Sequence, residues 1–152
     1  MKNRGELKTE QQNSSSENID LMSTKDILRT INEEDKKITS AIKKAIPQIE
    51  EVIEYAYNSV KSGGRVFYIG AGTSGRLGVL DASEIQPTFS VKPNIFIGLI
   101  AGGDKALKSS VEGAEDDKNS ILHELKSYGI CNKDTLIGIS CSGAAEYVVS
   151  GL

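Results

Sequence analysis

The chain has 152 residues, 18 basic and 21 acidic, for a net charge of −3, so it is long enough for one domain with a hydrophobic core and short for two. That balance excludes a broad electrostatic footprint for nucleic acid or for an anionic membrane. No apolar run reaches the roughly 18 residues of a membrane span and the polar start lacks the apolar core of a signal peptide, so a cytoplasmic protein is expected.

Residues 1–22 are polar, rich in Gln, Asn, Ser and Glu, and cannot build a core of their own; they are expected to form an arm. Residues 23–62 read as N-terminal helices. Ser23 or Thr24 offers an N-cap, and Ile27, Leu28 and Ile31 at helical spacing predict a short amphipathic helix ending in the charged stretch 32–37. A second helix follows from Ile38, Ile42, Ile46, Ile49, Val52, Ile53, Ala56 and Val60, up to the stop at Gly63 and Gly64. Pro47 inside it implies either a kink or a division into two.

From residue 65 the period changes. RVFYIG, NIFIGLIAGG (94–103) and DTLIGISCSG (134–143) are near-continuous apolar runs, as in strands buried on both faces of a parallel sheet. Helical stretches, Ser74 to about Ile85 and Glu112 to about Tyr128, separate them. The order β-α-β-α-β predicts right-handed crossovers and an α/β fold: a doubly wound parallel sheet in an αβα sandwich over residues 63–152. Three strands are few for such a sheet, so the chain is expected to be truncated, or to complete itself with a partner.

Cys131 and Cys141 have no second pair beside them and His123 is the single histidine, so no zinc site, disulfide framework or other metal site is expected. Both cysteines read as reduced and His123 as a solvated or packed helix residue.

Gly70, Gly72 and Gly75 satisfy the G-x-G-x-x-G dinucleotide pattern between a strand and a helix. The pattern also needs an acidic residue about 20 positions on for the ribose, whereas the first acid here, Asp104, comes about 30 positions after the loop. A dinucleotide cofactor therefore ranks low, and no cofactor is expected. Gly72, Thr73 and Ser74 instead place hydroxyls at a helix start, where backbone N–H groups and the dipole favour an anion such as a phosphate monoester. Ser140 and Ser142 repeat that chemistry after the third strand, and at the carboxyl edge of an open α/β sheet the two loops can converge on one ligand. The plainer reading of Ser74 and Ser142 is helix capping.

The stretch GGRVFYIGAGTSGRLGVLDASE closely resembles the N-acetylmuramic acid 6-phosphate etherases, bacterial enzymes of cell-wall sugar recycling built on a sugar-isomerase (SIS) domain. The resemblance extends to NSSSENIDLMST, INEEDK, PTF with the following VKP, GLIAGGDKAL and VEGAED. It implies metal-free cleavage of the D-lactyl ether of N-acetylmuramic acid 6-phosphate, giving N-acetylglucosamine 6-phosphate and D-lactate by elimination and then addition of water. By motif it assigns the acid to Glu84 and a second catalytic glutamate to Glu115; Asp81 and Glu112 are secondary candidates, read first as structural. A glutamate near its reference pKa of about 4.3 is ionised at neutral pH, so the acid must be desolvated or near another negative charge. The resemblance also implies a site assembled at a homodimer interface, a phosphorylated amino sugar as substrate, and no nucleic acid or membrane partner.

Two departures stand out. After the acid the family usually reads Cys-Pro-Pro-Thr-Phe-Gly, where this chain has Ile85-Gln86-Pro87-Thr88-Phe89-Ser90; a turn at the kept proline is expected. After the third strand the family's A-S-G-R-T-P-Y is replaced around Ser142-Gly143-Ala144-Ala145-Glu146-Tyr147, which loses a cation and a hydroxyl and should weaken an anion held there. The family's chains are also longer, so this chain alone is expected to be weakly active or inactive. A distant resemblance to SIS regulators such as the glucokinase regulatory protein gives the alternative, a non-catalytic sugar-phosphate sensor, which would have no need of both glutamates.

Overall fold

The computed structural model describes residues 4–152. The chain divides into two compact units, with the boundary inside the first long helix, between Ile53 and Glu54.

In the first unit, four short 3-10 turns over Arg4–Glu6, Lys8–Glu10, Ser14–Ser16 and Ile19–Leu21 precede helix α1, Thr24–Lys61. Ser23 caps it: its Oγ accepts the Asp26 N–H at 3.2 Å and donates to the Asp26 carboxylate. The two helices expected from periodicity are one. The charged stretch 32–37 continues the helix because Lys36 pairs with Glu33 and Lys37 with Glu34 one turn apart, on residues of good helix propensity. Pro47 lies in the helical interior, exposed, where it forgoes the bond its own N–H would make and sets its ring against the preceding turn.

The second unit holds strands β1 (Val66–Gly70), β2 (Phe96–Ile100) and β3 (Thr135–Ile139), all parallel, in the order β2-β1-β3. The helices between and after them are α2 (Gly72–Phe89), α3 (Lys105–Lys108), α4 (Ser120–Ser127) and α5 (Glu146–Gly151). The three-layer α/β architecture expected from the strand runs is therefore present.

Alternate residues of β1 face opposite layers. Phe67 and Ile69 are fully buried in one core with Leu99, Ile121, Tyr147 and Val148, beneath α4 and α5. Burying each such side chain contributes roughly 1.5–3 kcal/mol. Tyr68 faces α2, and a Cβ on Gly78 would come within 3.0 Å of the Tyr68 Cβ. On the same face a Cβ on Gly98 would meet the Val79 Cα at 2.5 Å, so this glycine lets α2 lie directly on β2.

Two helical expectations are corrected. The stretch from Glu112 to Tyr128 is a 3-10 turn, Ala114–Asp116, followed by α4. Gly113 at φ +74° stands just before the first and keeps Glu112 out of it, and Asp117 starts the second by accepting the N–H groups of Asn119 (2.9 Å) and Ser120 (3.2 Å) through Oδ1. No turn interrupts the chain at Pro87. α2 runs on to Phe89 and ends at Ser90, φ 54°, because a proline this close to the helix end gives up a single donor on an exposed face.

Candidate functional site

β1 and β3 are neighbours, with Gly70 paired to Ile139. The segments that follow, from Ala71 and from Ser140, therefore leave the same edge of the sheet side by side. From β1 the chain turns away through α2 to β2 on one flank, while β3 lies on the other. This is the topological switch point at which open α/β sheets form a crevice beyond the carboxyl ends of their strands. The topology thus starts the segment carrying Gly72, Thr73 and Ser74 and the segment carrying Ser140 and Ser142 at neighbouring strand ends.

The two loops differ in chemistry. α2 begins with Ala71 at its N-cap, which supplies no side-chain hydrogen bond, so its first-turn N–H groups lack a side-chain acceptor and suit an anion. Ser74 is therefore not the cap. Gly72 adopts φ +56° with nothing within 4 Å of where a Cβ would stand, leaving open space at the helix start. Gly70 and Gly75 serve packing instead: a Cβ on either would lie 2.6 Å from the other's backbone. In the second loop the Ser140 Oγ accepts the Gly143 N–H at 3.0 Å and the Ser142 Oγ accepts the Ala144 N–H at 3.1 Å. Each hydroxyl keeps its own proton to donate.

The two glutamates stand on opposite layers. Glu84 is exposed on α2, against the Tyr68 face of the sheet. Glu115 is exposed on the turn Ala114–Asp116, which packs against α5 on the Ile69 face. The desolvated surroundings an acid requires are not supplied to Glu84 by α2 itself. Of the secondary candidates, Asp81 acts on Tyr68, whose hydroxyl is pushed up to about 12 by burial and then by that carboxylate. Glu112 accepts the Ser110 hydroxyl at 3.1 Å.

A cleft of about 370 Å³ opens at the end of β2, lined among others by Gly102, Gly103, Glu112, Gly113, Ser120 and Glu124. Ser120 Oγ is buried with no hydrogen-bond partner among the described residues. Burial raises the Glu124 carboxyl above its ordinary range, opposed by a hydrogen bond from the Tyr147 hydroxyl and reinforced by Asp117. Sequence reasoning missed Ser120 and Glu124; the available signal was a polar i, i+4 pair flanking the buried Ile121 and Leu125 of α4.

Cys131 and Cys141 are free and exposed, and His123 is exposed on α4. Among the described residues, no three His, Cys, Asp or Glu side chains are grouped to hold a metal, and no helix is long and apolar enough to cross a membrane.

The fold and this edge define a class, and sequence comparison agrees with it. Residues 48–152 match the family described as the glucokinase regulatory protein N-terminal SIS domain, and the chain belongs to the SIS-domain proteins. Within that class it is similar to the N-acetylmuramic acid 6-phosphate etherase of Clostridium botulinum (strain Eklund 17B / Type B), 53% identical over 96% of this chain and 48% of the relative. The proteins of that name from Bacteroides thetaiotaomicron and Bacillus licheniformis are 52% and 48% identical, over 96% and 97% of this chain and 53% and 49% of their own lengths. The chain spans about half the length of the curated relatives it matches and fits their N-terminal half.

Proposed function

We propose that this chain carries the phosphosugar-binding edge and both catalytic glutamates of an N-acetylmuramic acid 6-phosphate etherase, a carbon–oxygen lyase of cytoplasmic cell-wall sugar recycling. The single observation that carries this reading is the roughly 50% identity to proteins of that name along nearly the whole chain; the roles of Glu84 and Glu115 come from the resemblance of their motifs.

Residues 63–152 form the binding domain. Backbone N–H groups at the start of α2, with Thr73 and Ser74, hold the 6-phosphate, and the Ser140 and Ser142 hydroxyls donate from the other side. In the ring-opened sugar the C2 hydrogen is acidified by the aldehyde. One carboxylate takes that proton while a carboxylic acid protonates the departing lactate oxygen, and water then adds to the double bond. Two carboxyl groups in different protonation states serve that sequence.

The placement of Glu84 and Glu115 on opposite layers supports a site completed across a homodimer, in which a second copy supplies the surroundings that Glu84 lacks on α2. The missing cation and hydroxyl at Ala144 and Ala145 support slow turnover by this chain alone.

A second reading, a non-catalytic sugar-phosphate sensor, is favoured by the match to a regulatory protein's domain and by that same altered loop. A coupled D-lactate assay on N-acetylmuramic acid 6-phosphate separates the two. Slow lactate release that Glu84→Gln abolishes is expected; sugar-phosphate binding with no Glu84-dependent lactate would establish the sensor.

A further inference from the structure

Tyr147 is fully buried at the start of α5, two residues after the loop that carries Ser140 and Ser142. Its hydroxyl lies 3.2 Å from Glu124 Oε2, in the middle of α4. A phenylalanine would fill the same space without a partner, whereas a half-buried carboxylate costs desolvation unless it is hydrogen-bonded. The pair therefore does more than pack.

Its position indicates what it holds. Asp117 lies just before α4, and its carboxylate fixes the helix start immediately after the turn bearing Glu115. A second link runs parallel to the first: Lys118 Nζ lies 3.5 Å from Glu146 Oε2, joining the same two segments at the surface. Glu146 stands in the stretch where this chain departs from the etherase pattern. The groups acting on the Glu124 carboxyl are the Tyr147 hydroxyl from α5 and Asp117 from before α4, and Glu112 lines the same cleft.

We propose that Glu124 is a positioning residue: by accepting the Tyr147 hydroxyl it fixes the Ser140–Ala145 loop against the segment that carries Glu115. This rests on reading the carboxyl edge as a sugar-phosphate site. Through this brace the hydroxyls of the second loop are held in the place the first loop requires.

The test compares Glu124→Gln, Glu124→Leu and Tyr147→Phe in the 152-residue chain. Amide hydrogen exchange is followed at Gly143 and Ala144 and at the β1 amides of Phe67 and Ile69, and N-acetylglucosamine 6-phosphate is titrated in parallel. Glu124→Gln keeps an acceptor oxygen and should behave as the parent. Glu124→Leu and Tyr147→Phe should speed exchange at Gly143 and Ala144 by about tenfold or more, leave Phe67 and Ile69 unchanged, and weaken the sugar phosphate about fivefold to tenfold. Loop exchange unaffected by both, or acceleration at β1 equal to that in the loop, overturns the brace. Should the parent chain fail to bind the sugar phosphate, the binding reading falls while the exchange data still decide the brace; if Glu124→Leu does not fold, Tyr147→Phe decides it.

Discussion

Arg65 and Asp134 lock together the starts of the two neighbouring strands that frame the candidate site. The guanidinium Nη2 lies 2.8 Å from Asp134 Oδ2, and the same carboxylate accepts the backbone N–H of Arg65 at 2.8 Å and of Cys131 at 2.9 Å. Arg65 also donates to the carbonyls of Tyr128 and Gly129. The Asp134 side chain is 1% exposed, so the charge is held by donors on several sides at the edge of the sheet opposite the hydroxyl loops.

This relationship predicts an acid-dependent stability. The Arg65 guanidinium beside Asp134 holds its carboxyl at about 2, below the roughly 3.9 of an unfolded aspartate. A depressed carboxylate stabilises the fold fully above the unfolded value and loses that effect as pH falls through the folded one, here between about pH 5 and pH 2. The shift corresponds to roughly 2–3 kcal/mol. Asp134→Asn should lower unfolding free energy by about 2–3 kcal/mol at pH 7 in urea titrations. The gap between variant and parent should close toward pH 2; a gap that stays constant with pH sinks the assignment.

The close contacts of the glycine loop predict a different kind of loss. Gly75→Ala would place a methyl 2.6 Å from both the Gly70 carbonyl oxygen and Ile100 Cγ1, forcing the start of α2 away from β1. The cost should reach about 2 kcal/mol or more, with weakened sugar-phosphate binding, because the same helix start is the proposed phosphate site. Gly72→Ala meets no atom within 4 Å and should cost only about 1 kcal/mol, from its left-handed backbone. Denaturant unfolding of the pair tests this; equal losses would show that packing does not distinguish them.

In α1 the prediction is a gain. Pro47 is exposed in the interior of a 38-residue helix, so Pro47→Ala restores one backbone donor and removes a ring from the preceding turn. Helix propensity sets the upper limit of the gain at about 3 kcal/mol. Thermal unfolding followed by circular dichroism should show a higher midpoint for the variant, and a lowered midpoint would mean that Pro47 has a role its helical setting does not reveal.

Much of this architecture is legible in the residues because local chemistry and fold agree. RVFYIG, FIGLI and TLIGI form parallel strands where their apolar runs predict them, and the glycine loop stands between β1 and α2. The helices depart from their periodic pattern where side chains outweigh it. Glu33 and Glu34 with Lys36 and Lys37 carry α1 through a stretch that looks like a break, and Gly113 and Asp117 divide what looks like one helix. The Tyr147–Glu124 pair was not legible at all, since a contact between residues on separate helices leaves no period in the sequence. The side-by-side loops could be expected from topology; the opposite layers of Glu84 and Glu115 needed the strand order.

The altered loop gives the sharpest test of whether this edge holds an anion. Ser140 and Ser142 already accept the Gly143 and Ala144 N–H groups, so the loop keeps its turn while presenting two hydroxyl protons and no cation. Ala144 occupies the position at which the etherase motif carries arginine. Ala144→Arg should tighten N-acetylglucosamine 6-phosphate about tenfold, since a charge-assisted bond to phosphate contributes about 1.5–3 kcal/mol, reduced by exposure. The gain should shrink between low and physiological salt, because an exposed charge is screened over about 10 Å at 0.1 M. Ser142→Ala should weaken binding about fivefold and leave that salt dependence unaltered. Calorimetric titration at two ionic strengths distinguishes these outcomes. If the arginine brings no gain at low salt, the phosphate does not reach this loop, and the helix start at Gly72 holds it alone.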